Sequence, residues 1–184
     1  MKQFMSRYSY ESVHLFLNQF AIGLFGITLA LAASKAQNDG LRIATSIFAV
    51  FFFLFLQYVA MWKVGASDRL SADLGKIKKD YTVPLKMWLL ANSLNLLLAL
   101  IMSFAMWFEG VGPLESVAAV ATVIKLVIEG MYLGLLAINV GGVALNSVWF
   151  MHFITTLPAL AVIMGAYILG FNNKKLLGTA EKKK

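Results

Sequence analysis

At 184 residues the chain is short enough for one domain, yet 60% of it is hydrophobic, 14% is charged and its mean hydropathy is +0.76. That composition excludes a soluble globule, and the lack of cysteine excludes a disulfide framework, a thiolate metal site and a cysteine nucleophile. A net charge of +7 would suggest nucleic acid as the partner of a soluble chain; here the basic residues flank hydrophobic runs, so anionic lipid headgroups are expected and nucleic acid is not.

The apolar residues come in runs of the length that a bilayer demands, about 20 residues for a hydrocarbon core of ~30 Å. Lipid offers the backbone no hydrogen-bond partner, and the runs lack the two-residue alternation of barrel strands, so each is expected to be helical. The whole chain, 1–184, reads as a single all-α, multi-pass membrane domain.

The first run, about 13–34, follows a polar head carrying Lys2, Arg7 and Glu11. Its small residues Ala30 to Ala32 resemble a signal cleavage site, but its length and its Asn18 and Gln19 predict a retained helix. The second, 43–62, is rich in Phe and ends in Tyr58, Trp62 and Lys63, residues suited to a headgroup boundary. A polar connection over 65–84 follows. Within it Leu70, Leu74, Ile77 and Tyr81 recur at helical spacing, which predicts a short amphipathic surface helix whose Lys76, Lys78 and Lys79 meet lipid headgroups. The third run, 85–108, is bracketed by Lys86, Trp88 and Trp107, and the fifth, 148–171, precedes a basic tail at 172–184.

The fourth run, 117–138, holds Lys125 and Glu129 near its middle. A central lysine costs ~2.5–3.5 kcal/mol on the insertion scale, so a lone span here is near break-even. Thr122, Lys125, Glu129 and Tyr132 fall on one stripe, which makes the helix amphipathic. The sixteen Lys and Arg residues decide between arrangements. Five crossings would set eight basic residues against seven, whereas four set thirteen against two, leaving out Lys125. Four spanning helices are therefore favoured, with both termini cytoplasmic and the fourth segment interfacial or re-entrant, Gly141 and Gly142 permitting the tight return. Five spanning helices are the alternative.

The candidate intramembrane polar cluster is Lys125, Glu129, Asn92, Asn95 and His152. Buried ionisable groups often line ion or solute paths, but an i, i+4 pair can also simply neutralise itself. The two asparagines can serve helix packing, and Thr155 and Thr156 can satisfy the carbonyl that Pro158 frees. A metal site at His14 or His152 would have to be assembled from separate helices, and no phosphate loop, nucleophile elbow or dinucleotide fingerprint occurs, so no metal, cofactor or catalytic residue is expected. Gly26, Ala30 and Ser34, and Gly130 with Gly134, form small-residue ridges suited to close helix approach.

Three stretches, WKVGASDR (Trp62–Arg69), LLANSLNLLLAL (Leu89–Leu100) and EGMYLG (Glu129–Gly134), resemble an uncharacterised family of small multi-pass membrane proteins from Gram-positive bacteria. The resemblance implies a bacterial cell membrane and brings no activity with it. The leading expectation is a non-enzymatic accessory or small permease-like component, acting as a homo-oligomer or beside a membrane partner protein. A transporter or channel with a polar path through Lys125, Glu129, Asn92 and Asn95 is the alternative, and a membrane-embedded enzyme the third. An aqueous cavity reaching Glu129 would favour transport; a lipid-exposed small-residue ridge would favour assembly.

Overall fold

The computed structural model describes residues 2–108 and 112–174, which are helical apart from turns and one minimal β-hairpin. The two longest helices, α1 (Lys2–Lys35) and α2 (Asp39–Asp73), form an antiparallel hairpin through a tight turn in which Gln37 adopts φ 50° and the Asn38 side chain accepts from the Leu41 N–H at 3.0 Å, capping α2. At ~1.5 Å per residue each is about 50 Å long, well beyond the ~30 Å of a hydrocarbon core.

The third run divides into α3 (Val83–Ala91) and α4 (Ser93–Trp107), bent by 57° at Asn92. The fourth gives α5 (Gly112–Ile128), then a 3₁₀ turn over Gly130–Tyr132 and α6 (Leu133–Leu136), bent by 85°. The strands β1 (Asn139–Val140) and β2 (Val143–Ala144) follow, and then α7 (Met151–Ile154) and α8 (Leu157–Phe171). Three segments are long and apolar enough to cross a membrane, Phe4–Lys35, Asp39–Asp73 and Met151–Phe171; each bent pair, taken as one span, raises the number to as many as five.

Side-chain exposure agrees with a lipid setting. Phe48, Phe51, Phe52 and Phe55 of α2 and Leu97, Leu100 and Phe104 of α4 stand exposed, a display that water would penalise and acyl chains would not. The main core lies between α1, α2, α3 and α8, where Leu15, Phe53, Met61, Met87 and Ile163 are almost wholly buried; Leu98, Met102, Ala121 and Ile128 make a smaller one between α4 and α5.

Glycine permits several close helix approaches. A Cβ on Gly65 or Gly170 would strike the backbone of α8 or α2 respectively, and one on Gly23 would strike the carbonyls of Val127 and Ile128. The Gly130 and Gly134 ridge is spent in the same way, against Gly23 and Ile27 of α1 and against Arg42 and Ser46 of α2. Gly26 packs on Met131, and Ala30 is buried.

Three local expectations change. Residues 65–73, expected in a polar loop, continue α2, because the stripe Phe53, Gln57, Met61, Val64 keeps its period as far as Asp68 and packs α8. The separate surface helix is therefore absent: helical structure stops where Gly75 takes φ 69°, and Ile77 and Tyr81 belong to a non-helical connection. Gly141 and Gly142, at φ 62° and 87°, make the tight β-hairpin turn, while the sharp bend of the fourth segment sits earlier, at Glu129. The last part of the basic tail, 175–184, lies outside the described residues.

Arg7 meets Asp68, Lys86 lies over the Phe4 ring, and the Trp62 indole donates to the Lys174 carbonyl at 2.7 Å. The start of α1, the connection after α2, the start of α3 and residue 174 therefore share one end of the bundle. Lys35 and Arg42 mark the opposite end.

Candidate functional site

The break in the fourth segment and the break before α8 meet, and their meeting makes the site. Pro158 has no N–H and starts α8 afresh, and just before it the helical bonding changes register. The Thr156 N–H goes to Phe153 O at 3.1 Å, and His152 O is left open to other donors. Lys125 Nζ arrives from α5 at 3.3 Å, with Thr155 Oγ1 3.2 Å from the same carbonyl. The same ammonium lies 2.8 Å from Glu129 Oε2, which also accepts from Thr155 Oγ1 at 2.9 Å. The i, i+4 spacing aligns the pair on one helix face, and the bend after Glu129 brings that face to α7.

Lys125, Glu129 and His152 are 3–4% exposed, so this is a desolvated ion pair and not a surface one. Its hydrogen bonding is incomplete. Glu129 Oε1 has no partner among the described residues. A cavity of about 280 Å³ adjoins the pair, lined by Lys125, Glu129, His152, Met102 and Leu126, with Thr122 and Asn146 at its exposed edge. A space lined by a lysine, a carboxylate, an imidazole and an asparagine can hold water or a small polar solute.

Of the five residues expected to cluster, the structure unites Lys125, Glu129 and His152 and adds Thr155. Asn92 and Asn95 sit apart, at the bend between α3 and α4. Asn92 Nδ2 donates to Trp88 O at 3.1 Å and Asn95 Nδ2 to Asn92 Oδ1 at 3.4 Å, and no hydrogen bond among the described residues joins them to Glu129. Gln57, buried on α2, donates to Leu15 O at 3.0 Å. Lys76 and Lys78 are exposed, and Lys79 rests over the Tyr81 and Phe171 rings at 4.6 and 5.2 Å.

A second polar centre was not anticipated. Asp68, 2% exposed, binds Arg7 at 2.7 Å and accepts from the Tyr8 and Tyr167 hydroxyls, each at 2.9 Å. It ties α1, α2 and α8 together at the end of the bundle that carries most of the basic residues. The signal was present: extending the apolar period of α2 past Trp62 puts Asp68 on the buried stripe. Among the described residues, no group of three or more His, Asp or Glu side chains is placed to hold a metal ion.

Comparisons of the chain with protein families, curated proteins and solved structures found no match. They add nothing to the resemblance carried by the three sequence motifs.

Proposed function

We propose that the protein is a small permease-like component of a bacterial cell membrane, crossing it four times with both termini in the cytoplasm, whose Lys125–Glu129–His152 centre receives a small polar or charged solute. The observation that carries this reading is the cavity reaching Glu129, whose lining brings an ammonium, a carboxylate and an imidazole together beside open space. A purely self-neutralising pair would have no use for that space. The accessory-subunit reading loses support because the small-residue ridges it would use, at Gly26, Ala30, Gly130 and Gly134, are occupied within the chain.

Four crossings are supported by the shared end of the α1 start and Lys174, since a chain that begins and ends on one side crosses an even number of times. In this arrangement α1, α2, the α3–α4 pair and the α7–α8 segment span, and the broken fourth segment is re-entrant.

The absence of cysteine makes the test direct. Single cysteines at Thr122 and Asn146 should react with a membrane-impermeant thiosulfonate in proteoliposomes, and one at lipid-facing Phe51 should not. Failure of both cavity positions to react, in protein that labels fully once denatured, would show the space to be dry and remove the solute-binding reading.

A further inference from the structure

A second open space lies elsewhere, between α1 and α2 near the end that carries Asp68. It is a groove of about 760 Å³ with one wall on each helix. On α1 the lining residues Arg7, Glu11, His14 and Asn18 recur at steps of four, three and four, a polar stripe along a helix that is otherwise mostly apolar. On α2 the wall changes character with depth. Lys63 and Ser67 line it near the end of the bundle, and Ala60, Val59 and Leu56 line it further in. Trp62 and Lys63 close the apolar run of α2, which puts the change at the headgroup boundary.

The charges define the occupant. Arg7 is already paired with Asp68, so these two largely cancel. Lys63 and Glu11 remain, and neither has an ion pair or hydrogen bond among the described residues. One cation and one anion without partners, beside an apolar stretch of the α2 wall, complement a zwitterion with an attached hydrocarbon chain. We infer that this groove binds a phospholipid with a phosphoethanolamine headgroup, its phosphate at Lys63, its ammonium at Glu11 and an acyl chain along Val59 and Leu56. A primary ammonium can donate to the Glu11 carboxylate, which a quaternary choline cannot, and an anionic glycerol headgroup would leave Glu11 opposed to a like or neutral group. This site is separate from the Lys125–Glu129 cavity and does not depend on it.

The test uses the full chain purified in a mild detergent, with bound lipid counted by native mass spectrometry and binding followed by thermal shift. Short-chain phosphatidylethanolamine should bind and raise the melting temperature more than the choline or glycerol lipid of equal chain length. Lys63→Gln should weaken binding about tenfold, the loss of one charge-assisted contact, and Glu11→Gln should abolish the preference for ethanolamine over choline. Lys78→Gln, outside the groove, should change nothing, and the unliganded melting temperatures should confirm that every variant folds. Equal binding of the three lipids, or Lys63→Gln and Glu11→Gln proteins that bind like the parent, would overturn the assignment. Glycerophosphoethanolamine without acyl chains is the last arm: if it stabilises as well as the lipid, the occupant is a soluble phosphate ester and the lipid proposal fails.

Discussion

Tyr167 donates its hydroxyl hydrogen to the Asp68 carboxylate at 2.9 Å, joining α8 to α2 across 99 residues of sequence. Tyr8 donates to the same oxygen from α1, so one carboxylate holds three helices that have no covalent link at this end. Removing it strands two buried hydroxyls and releases Arg7. Asp68→Ala should cost about 2–4 kcal/mol and Tyr167→Phe about 1–2, read as lowered thermal midpoints in detergent. An Asp68→Ala protein as stable as the parent would show that the apolar contacts of α2 with α8 suffice alone.

At Lys125 and Glu129 the single and double variants should diverge. Lys125→Met or Glu129→Leu alone leaves an uncompensated charge in a site 3–4% exposed, with an expected loss of about 3–5 kcal/mol, whereas the double variant should recover most of it. If the centre receives a solute, the recovered double variant should still fail in cysteine protection by that solute and in cellular activity. Singles that match the parent in stability and activity would mean that water already screens both charges.

The glycine contacts make a sharper demand. Gly23→Ala puts a methyl group into the Val127 and Ile128 carbonyls, backbone atoms that cannot rotate away, and should cost at least about 1–3 kcal/mol. Gly165→Ala, on α8 with nothing within 4 Å, should instead be neutral or gain up to ~1 kcal/mol from helix propensity. Comparing the two thermal midpoints separates close packing from propensity.

Topology can be read with reporters. Fusions after Lys184 and within residues 76–79 should both report cytoplasm, following the basic residues gathered at that end. An external tail with a cytoplasmic loop would require an odd number of crossings and restore the five-span arrangement.

Asp80 gives the pH dependence. The Thr82 hydroxyl at 2.6 Å and backbone N–H at 2.8 Å, with Lys86 nearby, hold its carboxyl below the usual range. A lowered folded-state value stabilises above the unfolded value of ~3.9 and is lost as pH falls through the folded one. Asp80→Asn should therefore lower stability slightly at pH 7, by well under about 1 kcal/mol for so exposed a pair, and match the parent at pH 2.

The sequence shows most of the helices and the Lys125–Glu129 pair, because both leave local traces: a long apolar run, or charge inside one. The breaks were harder. Asn92 and Glu129 are not strong helix breakers, so the bends there leave no local trace in the sequence. The union of His152 with Lys125 depends on the Thr156 N–H turning to Phe153 O and leaving His152 O open, and no spacing encodes which distant cation will take it. Asp68 was obscured by its polar neighbours in sequence, although its register on α2 marked it as buried.

The stop at Ile128 also has an electrical result. The last-turn carbonyls of α5 point their negative ends beside Lys125, deep in the structure, where a continuous helix would have carried that potential to the far membrane surface. Equivalent to roughly half an elementary charge, it steadies the ammonium and repels the neighbouring carboxylate, which Lys125 and Thr155 hold in place. The bend thus acts as a fixed counter-ion built from backbone alone, and it biases the adjoining cavity toward cations before any side chain is counted.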